Sequence, residues 1–168
     1  YGDNIVGISE KLNDLKNRLP MIISQNDNVL IKGGAGTGKN LIVRTIHMLE
    51  NPNDKKIIVI NCSNIPKSQI EKEFSGYKND EPSETFDKKI EMLRSLDKGT
   101  VYFKDIDRLS LSDQDKLLSF IKSSAKTDGN GKKTIEVRIL SSTKADFKQM
   151  IEQKWFRSDL YEKLSTVT

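Results

Sequence analysis

Seven residues constrain the fold more than any others: Gly33-Gly34-Ala35-Gly36-Thr37-Gly38-Lys39, set between the apolar run Val29-Leu30-Ile31 and the helical pattern from Leu41 to Leu49. A strand that turns through glycines straight into a helix lets successive backbone N–H groups point inward at phosphate oxygens, with the positive end of the helix dipole behind them. Lys39 then stands where an ammonium meets the β- and γ-phosphates of a nucleotide. A glycine-rich turn that binds nothing is the plain alternative, and the spacing, the lysine and both flanks argue against it. Asn40 follows Lys39, where the general motif carries a Ser or Thr hydroxyl for Mg²⁺, so one metal ligand is missing.

Further apolar runs at Ile57 to Ile60, Val101-Tyr102-Phe103 and Val137 to Leu140 alternate with helical patterns, the last at Leu117 to Ile121. That order predicts an α/β fold, a parallel sheet covered by helices on both faces with right-handed crossovers. Ser112, three residues before Asp115, reads as a capping-box start for the helix at Leu117. The stretches 77–83 and 128–131 read as a surface loop and a hairpin tip, and a strand is expected to begin near Leu164.

The chain of 168 residues suits one domain. No apolar run approaches the ~20 residues of a membrane span. A single cysteine, Cys62, excludes an internal disulfide and a thiolate metal cluster, which makes a cytoplasmic location the default. The net charge of +4 comes from a lysine excess, and only 6 of the 28 basic residues are Arg. Base-reading surfaces favour Arg, so the charge reads as a solvated surface rather than a nucleic-acid site, Lys132-Lys133 included.

Taken together, these motifs resemble the central AAA+ ATPase domain of NtrC-type bacterial enhancer-binding proteins, the sigma-54-dependent activators that are often response regulators of two-component systems. Ile5-Val6-Gly7-Ile8-Ser9 resembles the family's start beside the adenine pocket. Gly36-Thr37-Gly38-Lys39 with Arg44, Ile46 and His47 is similar to its G-E-S-G-T-G-K-E loop and helix, a loop that also lacks the hydroxyl after the Lys, so Asn40 departs less from this family than from the general motif. Asn61-Cys62 with Ile65-Pro66 matches N-C-x-x-I-P, and Glu73-Phe74 with Gly76-Tyr77 is similar to E-L-F-G-H. Gln114, Leu117 and Leu118 fit Q-x-x-L-L, Val137-Arg138-Ile139 and Thr143 the sensor strand, and Phe156-Arg157 with Asp159-Leu160-Tyr161 the motif F-R-x-D-L-Y.

The resemblance implies a three-layer αβα P-loop NTPase core with a five-stranded parallel sheet over residues 1–168, its helical lid lying beyond. It also implies ATP or ADP bound by Val6, Gly7, Gly33, Gly34, Ala35, Gly36, Thr37, Gly38, Lys39, Asn40 and Thr143. Asn61 would be the switch residue that holds the catalytic acid, and Arg157 would reach a neighbour's ATP in a ring of copies. RNA polymerase would be a further partner, and DNA would be met through a domain outside this chain.

The departures from the family are as informative. Its strand G-T-L-F-L-D-E is replaced by Gly99-Thr100-Val101-Tyr102-Phe103-Lys104-Asp105, so the metal carboxylate becomes Lys104. At ~4 Å and an effective dielectric of ~20 each unit-charge pair is worth roughly 4 kcal/mol, so ordinary Mg²⁺ binding is expected to suffer, with Lys104 partly replacing the ion. Asp105 remains the candidate base, about 1.5 Å shorter in reach than Glu, and such a displacement costs ~100-fold in rate. Extended-strand alternation puts Lys104 and Asp105 on opposite sides. A register with Asp105 or Asp107 on a metal stays open.

The loop that grips sigma-54, G-A-F-T-G-A, is here Asp80-Glu81-Pro82-Ser83-Glu84-Thr85-Phe86. Lys144 replaces the sensor Asn, and Lys163 the second arginine, keeping charge without the planar fork. The expectation is nucleotide-dependent self-association with sigma-54 remodelling and fast hydrolysis lost. The alternative is an active ATPase that uses Asp105 as base. His47 and Cys62 read as structural residues, and Trp155 with Phe156 as an anchor in the core or at a subunit contact.

Overall fold

The structure, a computed structural model, describes residues 10–25, 27–52, 57–65, 86–95, 98–124 and 136–166. Its elements run α1 (Glu10–Gln25), β1 (Val29–Lys32), α2 (Lys39–Glu50), β2 (Ile58–Asn61), a 3-10 turn (Cys62–Asn64), α3 (Phe86–Arg94) and β3 (Lys98–Lys104). A second 3-10 turn (Ile106–Arg108), α4 (Leu111–Ser124), β4 (Glu136–Thr143), α5 (Phe147–Glu152) and α6 (Ser158–Leu164) follow. Every strand pairing among the described residues is parallel, in the order β1-β4-β3-β2.

Four strands are therefore seen where five were implied. Leu164, expected to open a strand, instead ends α6: its side chain is fully buried in the core, and Ser165 N donates to Tyr161 O to close the last turn. Residues 167–168 lie outside the described residues.

Alternation along each strand divides the core into two layers. Leu30, Ile60, Val101, Phe103 and Ile139 meet α3, α4 and α6, whereas Val29, Ile31, Tyr102 and Leu140 meet α1 and α2. Coverage on both faces favours continuous apolar runs over alternating ones, as in Val29-Leu30-Ile31 and Val101-Tyr102-Phe103. Each fully buried large side chain contributes about 2–3 kcal/mol. Phe86, the last residue of the segment set against the sigma-54 loop, opens α3, its ring tilted against that of Phe103 with centroids 6.4 Å apart.

The start of α4 also differs from expectation by two residues. Ser110, not Ser112, caps it: Asp113 N donates to Ser110 Oγ at 3.2 Å, and Ser110 Oγ donates to Asp113 Oδ2 at 2.7 Å. The spacing is the same; Ser112 sits exposed in the first turn. No helix among the described residues is long and apolar enough to cross a membrane. The loop and hairpin tip expected at 77–83 and 128–131 fall outside the described residues.

Candidate functional site

The β1-β4-β3-β2 order sets the C-terminal ends of the strands side by side. In register, Lys32 lies beside Thr143 and Asn61 beside Lys104. The chain leaves β1 and skips two strands before laying down β2, and open α/β sheets form their ligand crevice at such a switch. The glycine loop occupies this place. Gly33 N donates to Thr143 O at 3.1 Å, tying its first residue to the sensor strand.

Within the loop, Gly36 and Gly38 adopt φ of +75° and +84°, the left-handed region that favours glycine. A Cβ built on either would meet nothing within 4 Å, so both face open space. Gly33 is tight instead, since a Cβ there would come 2.7 Å from Thr37 Oγ1. Lys39 folds back so that Nζ donates to Gly33 O at 2.7 Å and Gly34 O at 2.5 Å, and Thr37 Oγ1 also donates to Gly34 O. No side chain caps α2 and no acid occupies its first turn. An ammonium, an uncapped helix start and open glycines suit an anion. Gly34, Ala35, Thr37 and Gly38 are exposed, while Val6 and Gly7 lie outside the described residues.

At the end of β3 the chain departs from strand alternation. The strand stops at Lys104, and Asp105 turns into the left-handed region at φ 53° to begin the 3-10 turn. Asn61 does not hold Asp105 either. Its Oδ1 accepts from Ser63 N at 3.1 Å to cap the 3-10 turn after β2, and Ser63 Oγ donates to Asp105 Oδ2 at 3.3 Å. A short carboxylate that leaves the strand is met by the hydroxyl of the turn rather than by the amide on the strand. Ser63 was not singled out beforehand, although its hydroxyl inside N-C-S-N was the available signal. Thr143 Oγ1 donates to Asp107 Oδ1 at 2.6 Å and accepts from Ala145 N, while Arg108 lies 3.6 Å from Asp107.

Arg157 is not brought to the loop of its own chain. Its guanidinium is ion-paired with Asp115, and Nε and Nη2 donate to Asp159 at 2.9 and 2.8 Å. Hydrogen bonding by Arg157 holds the Asp159 carboxyl down at about 2. Gln114, fully buried, anchors the segment: Nε2 donates to Leu109 O and Trp155 O, and Oε1 accepts from Arg157 N. Phe156 is buried, edge-to-face with Phe147 at 4.5 Å between centroids, but Trp155 is 61% exposed and anchors nothing in this chain's core. Cys62 is buried, and desolvation together with Asp105, Asp107 and Asp113 pushes its thiol up, so it is no nucleophile. His47 is buried on α2, in keeping with a structural role.

A divalent cation does not fit what is present. Asn40 offers no hydroxyl, and its Oδ1 already accepts from Tyr102 Oη at 2.7 Å. The Lys104 ammonium ends β3 beside Asn61, and one oxygen each of Asp105 and Asp107 accepts from a hydroxyl. Among the described residues no three His, Cys, Asp or Glu side chains converge.

A parallel αβα sheet with a glycine loop feeding α2 at its switch point defines a P-loop NTPase core of the AAA+ class. The chain belongs to the family of the Sigma-54 interaction domain, which it matches over residues 5–168. It is 36% identical, over 98% of its length, to a signal-transduction and transcriptional-control protein of Clostridium beijerinckii. It is 33% identical, over 97%, to the anaerobic nitric oxide reductase transcription regulator NorR of Serratia proteamaculans. It spans 27% and 32% of those two proteins. Among solved structures, NtrX from Brucella abortus in complex with ATP superposes with a TM-score of 0.70 at 26% identity, covering 97% of this chain and 37% of that one.

Proposed function

We propose that this domain binds ATP or ADP and that the bound nucleotide biases self-association within a bacterial transcription regulator. The observation that carries the reading is the Lys39 ammonium held by the carbonyls of Gly33 and Gly34, in a loop whose Gly36 and Gly38 leave the facing space open. On arrival of a nucleotide, Lys39 exchanges two carbonyls for phosphate oxygens, and the exposed loop amides add donors. Thr143, Asn40 and Lys104 border the same end of the sheet, and the Lys104 charge supplements that of Lys39. Crystals of the Brucella relative with ATP and with ADP support this assignment.

Fast hydrolysis and sigma-54 remodelling are read as lost. Asp105 sits outside the strand, on Ser63 rather than on Asn61, and Arg157 is paired within its own chain. Neither the general base nor the arginine meant for a neighbour is held in a working position. Such a regulator would act in the cytoplasm, with RNA polymerase and DNA met by the larger protein, as its relatives' greater length suggests.

The second reading, an active ATPase with Asp105 as base, draws on the hydroxyl contact from Ser63, which keeps that carboxylate ordered. Calorimetric titration of the intact protein with ATP and ADP, sedimentation with and without each nucleotide, and steady-state phosphate release separate the two. Nucleotide-dependent association with negligible release supports the first reading. Turnover abolished by Asp105→Asn supports the second. Absence of heat for either nucleotide overturns both.

A further inference from the structure

Tyr102 faces the α1 and α2 layer from the middle of the sheet, is 4% exposed, and places its hydroxyl between two oxygens. Asn40 Oδ1 and Ser142 Oγ each lie 2.7 Å from it. A carboxamide oxygen only accepts and a phenol owns one proton, so that proton goes to Asn40. Ser142, fully buried, must then donate to Tyr102. The relay has one direction, from Ser142 through Tyr102 to Asn40. Burial pushes the phenol up from its ordinary value, so it keeps its proton.

This direction fixes the polarity of Asn40. With the oxygen committed inward, the free branch of this exposed side chain is its NH₂ group, two donors and no acceptor, one residue past Lys39. The general motif has a metal-ligating oxygen at that position. An N–H pair repels a cation and donates to a phosphate oxygen.

We infer that Tyr102 is a positioning residue that turns Asn40 into a phosphate donor, so that the site takes its nucleotide free of divalent cation and gains nothing from Mg²⁺. Lys104, in place of the usual metal carboxylate, works in the same direction. The inference rests on the nucleotide-binding reading above and deepens it by naming the ionic form of the ligand.

The test is calorimetric titration of the intact protein with ADP in EDTA and again in millimolar Mg²⁺, for the wild type, Tyr102→Phe and Asn40→Ser. The wild type should bind ADP at least as tightly in EDTA as in Mg²⁺. Tyr102→Phe keeps the ring and removes the relay, and should weaken binding in EDTA by about 5- to 10-fold, the worth of one hydrogen bond, with a smaller loss in Mg²⁺, because the released Asn40 carboxamide is then free to turn its oxygen to the metal. Asn40→Ser restores the motif's hydroxyl on an exposed position that cannot empty the core, and should make Mg²⁺ tighten binding.

Wild-type binding that strictly needs Mg²⁺ would overturn the inference while leaving nucleotide binding intact. A Tyr102→Phe loss equal in both conditions, or an Asn40→Ser protein still indifferent to the metal, would also overturn it. No heat from folded wild type in either condition would instead remove the nucleotide reading itself.

Discussion

Arg157 and Asp115, 42 residues apart, are joined by an ion pair that ties the start of α6 to α4. With Asp159 taking Nε and Nη2, each guanidinium nitrogen has a carboxylate partner, so three of the five N–H donors are engaged within this chain before a second chain is met. The pair is solvent-exposed, so salt screens it and its removal should leave the unfolding transition unmoved. Asp115→Ala should strengthen nucleotide-dependent self-association several-fold by returning Nη1 to the surface. Sedimentation velocity with and without nucleotide reads this directly; an unchanged association constant would show that the internal pairing restrains nothing.

The glycine loop separates space from backbone as causes. Gly38→Ala meets no atom within 4 Å but must hold φ +84°, a strain of about 1–2 kcal/mol at the start of α2. Gly34→Ala has no such φ, and its Cβ makes an ordinary 3.7 Å contact with Thr37 Cγ2. Urea denaturation should show a loss of about 1–2 kcal/mol for the first and under about 0.5 kcal/mol for the second. Equal losses would mean that the loop does not hold its left-handed turns.

What was legible in the sequence is what local chemistry dictates. The loop announces itself because glycines at left-handed positions, a lysine and two flanking elements lie within a few residues. The strands do so because burial on both faces leaves continuous apolar runs. What was not legible depends on contacts between distant residues. Ser63 reaches Asp105 across 42 positions, Asn40 reaches Tyr102 across 62, and Asp115 reaches Arg157 across 42. The Asp105 turn defeated the alternation argument because period-two reasoning holds only while the chain stays extended. Tyr102 looked like one more apolar strand residue, yet a hydroxyl inside a buried strand must find partners, and that requirement was visible in the residue type.

Gln114 supports a prediction about stability rather than binding. Its amide makes three hydrogen bonds in a fully buried position, two donated at 3.0 and 3.1 Å and one accepted at 3.0 Å. Gln114→Leu keeps the volume and strands the Leu109 and Trp155 carbonyls and the Arg157 amide. With part of the cost relieved by water at this edge, about 2–4 kcal/mol should be lost in chemical denaturation. A loss below about 1 kcal/mol would show that the segment is held by Phe156 packing alone.

Glu50 makes stability fall with pH. It ends α2 with its side chain 9% exposed, 3.1 Å from Arg138, whose Nη2 also donates to Ile22 O. Asp27 contributes a second negative charge toward Arg138, and His47 lies buried one turn earlier on α2. Burial outweighs the attraction of Arg138, and the carboxyl is pushed up from 4.5 to about 7. Between those values the folded chain holds a proton that the unfolded chain has lost, so stability falls as pH rises through the window. Below 4.5 both states are protonated and above about 7 both are ionised, so this group adds no slope there. The span is worth at most about 3 kcal/mol, and solvent screening of the pair reduces the expected change to about 2 kcal/mol. Glu50→Gln cannot ionise and should lose this slope. Urea midpoints at half-unit steps from pH 5 to 8 test it: the wild type should decline relative to Glu50→Gln up to about pH 7 and run parallel beyond. Parallel curves throughout would mean that Arg138 holds Glu50 ionised across the whole range.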